Sequence, residues 1–157
     1  MKKAARKGNI KAIVICHNIR SAHNAGSILR TADGAGVAKV YLTGYTPAPP
    51  HSGISKTALG AEETVEWEKI SKPGELIEKL KKEDFEIIAL ELAEGSKPHY
   101  HFHPKRNIAI ILGNEVRGIS KGTLKKCDEI VSIPMRGKKE SLNVSVAFGI
   151  AIYSFLR

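Results

Sequence analysis

The chain of 157 residues lacks any apolar stretch long enough to cross a bilayer. Its longest such run, Val144 to Leu156, is interrupted by Ser145, Gly149 and Ser154 and falls short of the ~20 residues a span requires. Cysteine is scarce: Cys16 and Cys127 stand alone, without a CxxC pair, which excludes a disulfide framework and reads as two reduced thiols of a cytoplasmic protein. The basic start, Met1 to Lys7, resembles the front of a signal peptide, but no apolar core or small-residue cleavage site follows it. Internal repeats, low-complexity tracts and linkers are also missing. Residues 1–157 therefore read as one domain, with residues 1–10 as a loose basic arm. Carboxylates are in short supply: 16 Asp and Glu face 25 Lys and Arg, for a net charge of +9. Such an excess draws a small protein to polyanions, of which nucleic acid is the commonest, although a merely basic, solvated surface gives the same count.

Short apolar runs alternate with helical patterns, which predicts an α/β domain with a mainly parallel sheet and helices on both faces. Ala12 to Cys16 is continuously apolar, as a strand covered on both faces should be. A helix is expected over Ala22 to Ala35, closed by Gly34 and Gly36, and a strand over Val37 to Thr43. After a Pro-rich loop, Thr46 to Gly53, come a short helical turn at Ser55 to Gly60 and a strand at Thr64 to Trp67. Lys72 to Lys82 has Pro73 in its first turn and Leu76, Ile77 and Leu80 on one face. Strands are expected at Phe85 to Leu92, Ile108 to Leu112 and Ile130 to Ile133, a short helix at Lys121 to Lys126, and a last helix at Leu142 to Leu156 with Ser141 as its N-cap.

In open α/β sheets ligands bind beyond the carboxyl ends of the strands. Three loops there carry unusual residues. Asn24-Ala25-Gly26-Ser27-Ile28-Leu29-Arg30 offers an amide and a planar guanidinium fork suited to phosphate, against the plain alternative of an Asn cap and a solvated Arg. Gly113-Asn114-Glu115-Val116-Arg117-Gly118 sets a carboxylate between two glycines at the end of a very apolar strand. Glu115 there accepts hydrogen bonds from a sugar or orients an Arg, unless it merely pairs with Arg117 on the surface. Ile133 to Ser145 runs through the basic loop Arg136 to Lys139 into a helix start, where Ser141, Asn143 and free N–H groups form a polar cradle.

Other signals are weaker. Gly34-Ala35-Gly36 lacks the full GxGxxG pattern and reads as a helix-ending turn. His99-x-His101-x-His103 puts three imidazoles on one side of an extended segment, but no fourth zinc ligand accompanies them, so no metal is expected. The single Trp67 reads as core or interface.

Taken together, the three loops resemble the SpoU (TrmH-like) branch of the SPOUT RNA methyltransferases. The first is similar to that family's Asn-x-Gly-x-x-x-Arg motif, the second to Leu-Gly-x-Glu-x-x-Gly at Leu112 to Gly118, and the third to Ile-Pro-Met-x-Gly with Ser-Leu-Asn-Val-Ser-x-Ala at Ile133 to Gly137 and Ser141 to Ala147. Lys56 to Ala61 is a softer match. The resemblance implies a C-terminal trefoil knot, an exception to the rule against threaded chains. It also implies a homodimer with the active site near the subunit interface, and S-adenosylmethionine as cofactor. By position, Gly113, Ile133, Leu142, Met135, Leu112 and Leu90 should contact that cofactor, with the strand end Leu90 to Leu92 helping. Arg30, Asn24, Glu115, Ser141 and Asn143 match positions associated with catalysis and ribose handling.

The activity so implied is methylation of a ribose 2′-hydroxyl in structured RNA, with transfer RNA favoured over ribosomal RNA. The family assigns the matching arginine as general base. Arginine gives up its proton only at very high pH, so we expect Arg30 to hold a phosphate and steady the developing alkoxide, while Ser141 and Asn143 position the ribose. Larger relatives carry an extra N-terminal RNA-binding domain. Here RNA capture is expected from Lys2, Lys3, Arg6, Lys7, Lys11, Lys105, Arg106 and the Arg136 to Lys139 cluster. Two rivals are a non-catalytic RNA-binding protein on the same fold, which need not keep that residue set, and a nucleotide-dependent oxidoreductase, which should carry a GxGxxG loop.

Overall fold

A computed structural model describes residues 9–157, so Lys2, Lys3, Arg6 and Lys7 of the basic arm lie outside the described residues. Strand β1 (Ala12–His17) explains its own sequence. Ala12, Val14 and Cys16 enter one core cluster, and Ile13 and Ile15 enter a second on the opposite face. With both faces buried there is no polar alternation. The other strands are β2 (Lys39–Thr43), β3 (Trp67–Ile70), β4 (Glu86–Leu90), β5 (Lys97–Pro98), β6 (Ile108–Leu112) and β7 (Glu129–Ser132). They form one sheet in the order β3-β2-β1-β6-β4-β7-β5, every pairing parallel. The carboxyl ends therefore share one edge, where loops of very different sequence position meet.

The helices are α1 (Ala22–Ala35), α2 (Ser52–Ala58), α3 (Ala61–Thr64), α4 (Pro73–Lys82), α5 (Lys121–Leu124) and α6 (Val144–Phe155). Ile28, Leu29 and Ala32 of α1, Ile54 of α2, and Phe148, Ala151 and Ile152 of α6 cover one face. Leu76, Ile77 and Leu80 of α4 cover the other. The helices thus flank the sheet on both sides, as the apolar patterning predicts. Helix α1 packs closely on α2 because Gly26 has no side chain: a Cβ there would lie 2.1 Å from Thr57 Oγ1 and 2.4 Å from the Ile54 carbonyl oxygen.

Several boundaries differ from those expected. Ser21, not Asn24, caps α1, its hydroxyl accepting from the Asn24 N–H at 3.2 Å, and Gly36 closes the helix in the left-handed region. Asn143, not Ser141, caps α6, which starts at Val144, because the Asn143 side chain accepts from the Ser145 and Val146 N–H groups. Helix α2 starts at Ser52 and ends at Ala58. Thr64 ends α3, and its strand starts only at Trp67, whose indole donates to the Glu62 carbonyl. The two-residue strand β5 and a 3-10 turn at His99–His101 were not expected, and that turn replaces the extended histidine segment. A strand so short, with a proline at the sheet edge, has no period to read. His99 Nδ1 lies 3.0 Å from the Ser154 hydroxyl, and the described residues contain no cluster of three potential metal ligands. No helix among the described residues is long and apolar enough to cross a membrane.

Candidate active site

Strand β6 delivers its chain to a tight loop. A Cβ on Gly113 would lie 2.6 Å from Ile119 Cγ1 and 2.7 Å from the Gly118 backbone carbon, so only glycine lets the loop fold back on itself. Asn114 fixes that fold: its Oδ1 accepts from the Val116 and Arg117 N–H groups at 2.9 and 2.8 Å. Its Nδ2 donates to the Asn18 carbonyl at 3.0 Å and to the Tyr45 hydroxyl at 2.8 Å, joining the loops after β1 and β2.

The loop aims Glu115 at the start of α1. Its Oε1 accepts from the Arg20 N–H at 2.8 Å, and its Oε2 accepts from the Ser21 N–H at 2.9 Å and the Asn24 amide at 3.0 Å. A carboxylate on the exposed donors of a helix start is a favourable placement. Burial pushes the Glu115 carboxyl up, yet the N–H groups of Arg20 and Ser21 and the Asn24 amide outweigh it and hold the group below the usual carboxylate range. Glu115 is therefore an ionised anchor with its acceptors engaged, and no ion pair to Arg117 occurs among the described residues. Asn24 passes the connection on, its Oδ1 accepting from Asn143 Nδ2 at 3.0 Å. Asn143 in turn caps α6. One residue from each of the three loops is thus held in a single hydrogen-bonded line.

Beside that line, at the carboxyl ends of β4, β6 and β7, lies a cavity of about 460 Å³. Leu90, Gly113, Ile133, Met135 and Leu142 line it, with Asn24, Glu115, Ser141 and Asn143 at its polar side. Leu112 does not reach the cavity: it is buried behind the wall, within the sheet. Arg30 lies off the cavity as well, exposed on α1. Arg136, Lys138 and Lys139 are exposed. Sequence reasoning missed the hub Asn114 and the bridging Tyr45, and it placed the strand end Leu90 to Leu92 at the cofactor without singling out the lining residue Glu91. A lone charge at the end of an apolar run was the available signal for Glu91.

The cysteines take no part: burial pushes the Cys16 thiol up to about 12 and the Cys127 thiol up to about 11, and both are free.

A model of the SpoU rRNA methylase family matches residues 11–153. The chain belongs to that family. Among its relatives is the 23S rRNA (guanosine-2′-O-)-methyltransferase RlmB of Vibrio vulnificus, 34% identical over 145 residues, which are 92% of this chain and 58% of that protein. Among solved structures, the A. aeolicus TrmH/SpoU tRNA modifying enzyme is 30% identical with a TM-score of 0.83, over 95% of this chain and 74% of that one. The AdoMet-bound rRNA methyltransferase of Sinorhizobium meliloti, 23% identical, matches the fold with a TM-score of 0.85 over 94% of this chain and 56% of that one. The SpoU chain described here thus spans under three fifths of the Vibrio vulnificus protein.

Proposed function

We propose that this SpoU-family chain transfers a methyl group from S-adenosylmethionine to a ribose 2′-hydroxyl of structured RNA. One observation carries the proposal: the Glu115–Asn24–Asn143 line stands at the polar side of a cavity, part polar and part apolar, at the sheet's carboxyl edge. The cavity fits the cofactor chemically. Leu90, Ile133 and Leu142 offer apolar surface for a purine, and the close backbone turn at Gly113 leaves room for a nucleoside against the main chain. When bound, the cofactor supplies a methyl already activated on sulfonium.

What remains for the protein is the hydroxyl, a weak nucleophile that must be aligned and whose developing charge must be stabilised. Ser141 and Asn143, at the polar side of the cavity, hold the ribose. Glu115, already saturated, keeps Asn24 and the start of α1 in place and does not take the proton. Arg30 reaches the reaction from a second copy of the chain. Support comes from α6, where Val146 (51% exposed), Ile150 (38%) and Tyr153 (58%) leave an apolar stripe open at helical spacing. On α1, a Cβ at Gly34 would lie 3.1 Å from the Tyr153 hydroxyl, and Arg30 stands one helical turn before Gly34 on the same face, so the arginine borders that stripe. Burying the stripe against a twin brings Arg30 towards the other subunit's cavity. The trefoil threading belongs to the same proposal, with the 113–118 and 133–143 loops as its crossings.

Ribosomal RNA has more support than the transfer RNA expected from sequence, because the Vibrio vulnificus relative acts on 23S rRNA. The test is incubation with S-adenosylmethionine and unmodified transcripts of both RNAs, followed by mass spectrometry of the nuclease digest. A 2′-O-methylnucleoside that disappears in Asn143→Ala is the expected result. Base methylation would overturn the ribose assignment. Cofactor binding without product on any RNA would favour a non-catalytic RNA-binding protein.

A further inference from the structure

The cavity has an electrical character opposite to that of the chain. The protein carries a net charge of +9, yet no Lys, Arg or His lines the cavity, and Glu91 and Glu115 both do. Glu115 has its oxygens engaged by the start of α1. Glu91 does not. Its main chain continues β4 into register with β7, the N–H donating to the Val131 carbonyl at 3.0 Å. Its Oε2 accepts from the Ile119 N–H at 2.8 Å, and no described residue donates to its Oε1 or forms an ion pair with it. The carboxylate rests on Gly118, where a Cβ would lie 2.6 Å from Oε2, so that glycine leaves the space Glu91 fills. The result is one unneutralised carboxylate fixed in the cavity wall by a backbone donor.

Methyl transfer changes the charge of the nucleoside in that cavity by one. The bond from sulfur to methyl carbon breaks, with its electron pair staying on sulfur, and the ribose oxygen forms a bond to that carbon. The hydroxyl proton leaves to solvent. A sulfonium becomes a neutral thioether. We propose that Glu91 makes the cavity discriminate by charge between cofactor and spent product, holding the cationic sulfonium and releasing the thioether. This rests on the methyl-transfer function proposed above. A fixed carboxylate in a partly desolvated wall attracts a nearby cation more strongly than it would in water, and has no such attraction for the thioether. Glu91 would thereby limit product inhibition without touching the RNA.

The test is calorimetric titration of S-adenosylmethionine and S-adenosylhomocysteine into the full chain and into Glu91→Gln, which keeps an acceptor for the Ile119 N–H but loses the charge. The unmodified protein should prefer the sulfonium. In E91Q that preference should fall by roughly tenfold, through weaker cofactor binding at nearly constant product binding. An analogue with an ammonium in place of the sulfonium should follow the cofactor. Equal weakening of all three ligands would overturn the charge role and leave Glu91 as a clamp on the 113–118 loop. Should E91Q fold poorly, Glu91→Asp and Glu91→Asn, equal in size, decide: the same preference in both overturns the proposal, and a preference kept only in E91D supports it. If the unmodified protein takes up neither nucleoside, the methyl-transfer function falls as well. If it takes up both equally, the charge role alone falls.

Discussion

Asn143 donates its side-chain amide to Oδ1 of Asn24 at 3.0 Å, joining residues 119 positions apart. Because the other end of the Asn24 amide donates to Glu115, this side chain must offer a donor and an acceptor in opposite directions. Asn24→Ala removes both bonds and should destabilise the fold by about 1–2 kcal/mol in urea denaturation, with loss of methylation. Asn24→Asp should be worse despite its near-identical shape, since it keeps the acceptor for Asn143 but turns a second carboxylate towards Glu115. Equal stability of the two variants would show that the link to Glu115 carries no weight.

The anchoring of Glu115 has a pH signature. Its folded pKa lies below the ordinary value of 4.5, so as pH falls the unfolded chain takes up the proton first. The stability this carboxylate contributes is therefore complete above that ordinary value and is lost as pH falls through the lower folded one. Glu115→Gln has no proton to gain. The gap in urea midpoint between the wild type and E115Q should be wide at pH 7 and narrow as pH falls below 4.5 and through the lower folded pKa. A gap that stays constant with pH would mean that shape, not charge, holds the loop.

Much of the fold was legible because β1 and β6 are buried on both faces, which leaves continuous apolar runs, and because α4 shows a clean apolar stripe. The site was legible as three separate loops. Sequence could not tell which members of each loop meet: Asn24 and Arg30 belong to one motif, yet the turn of α1 sends one to the cavity and leaves the other outside it. The cap of α6 was misjudged for a related reason. Ser141 and Asn143 are both good cap residues, and only the path of the basic loop decides between them. The strand end Leu90 to Leu92 was legible, but what holds the Glu91 carboxylate was not, because its donor is Ile119, 28 positions away.

Gly26 shows how tightly α1 and α2 are fitted. Gly26→Ala would place a methyl on the Ile54 carbonyl and the Thr57 hydroxyl, and backbone cannot step aside as a flexible side chain can. The expected cost is roughly 1–3 kcal/mol in thermal or urea unfolding. Gly122→Ala in α5 is the comparison, since a Cβ there meets nothing within 4 Å, and its stability should be unchanged or slightly raised. If G26A proves as stable as G122A, the helices are not held together at this point.

The proposed sharing of Arg30 between two copies of the chain has a direct test. Arg30→Ala and Asn143→Ala should each abolish methylation alone. If Arg30 serves the partner's cavity, a mixed dimer of the two variants holds one complete site, built from the intact Arg30 of one subunit and the intact Asn143 of the other. Equal mixing with free exchange makes about half the dimers mixed, so activity should return to about a quarter of wild type. If Arg30 serves its own subunit, every site in the mixture lacks one residue and activity stays at zero. Ile150→Glu separates this from simple loss of assembly. A charge on the open stripe of α6 should give monomers in sedimentation, and activity should go with assembly if Arg30 serves the partner's cavity. A fully active I150E monomer would overturn both the dimer and the shared site.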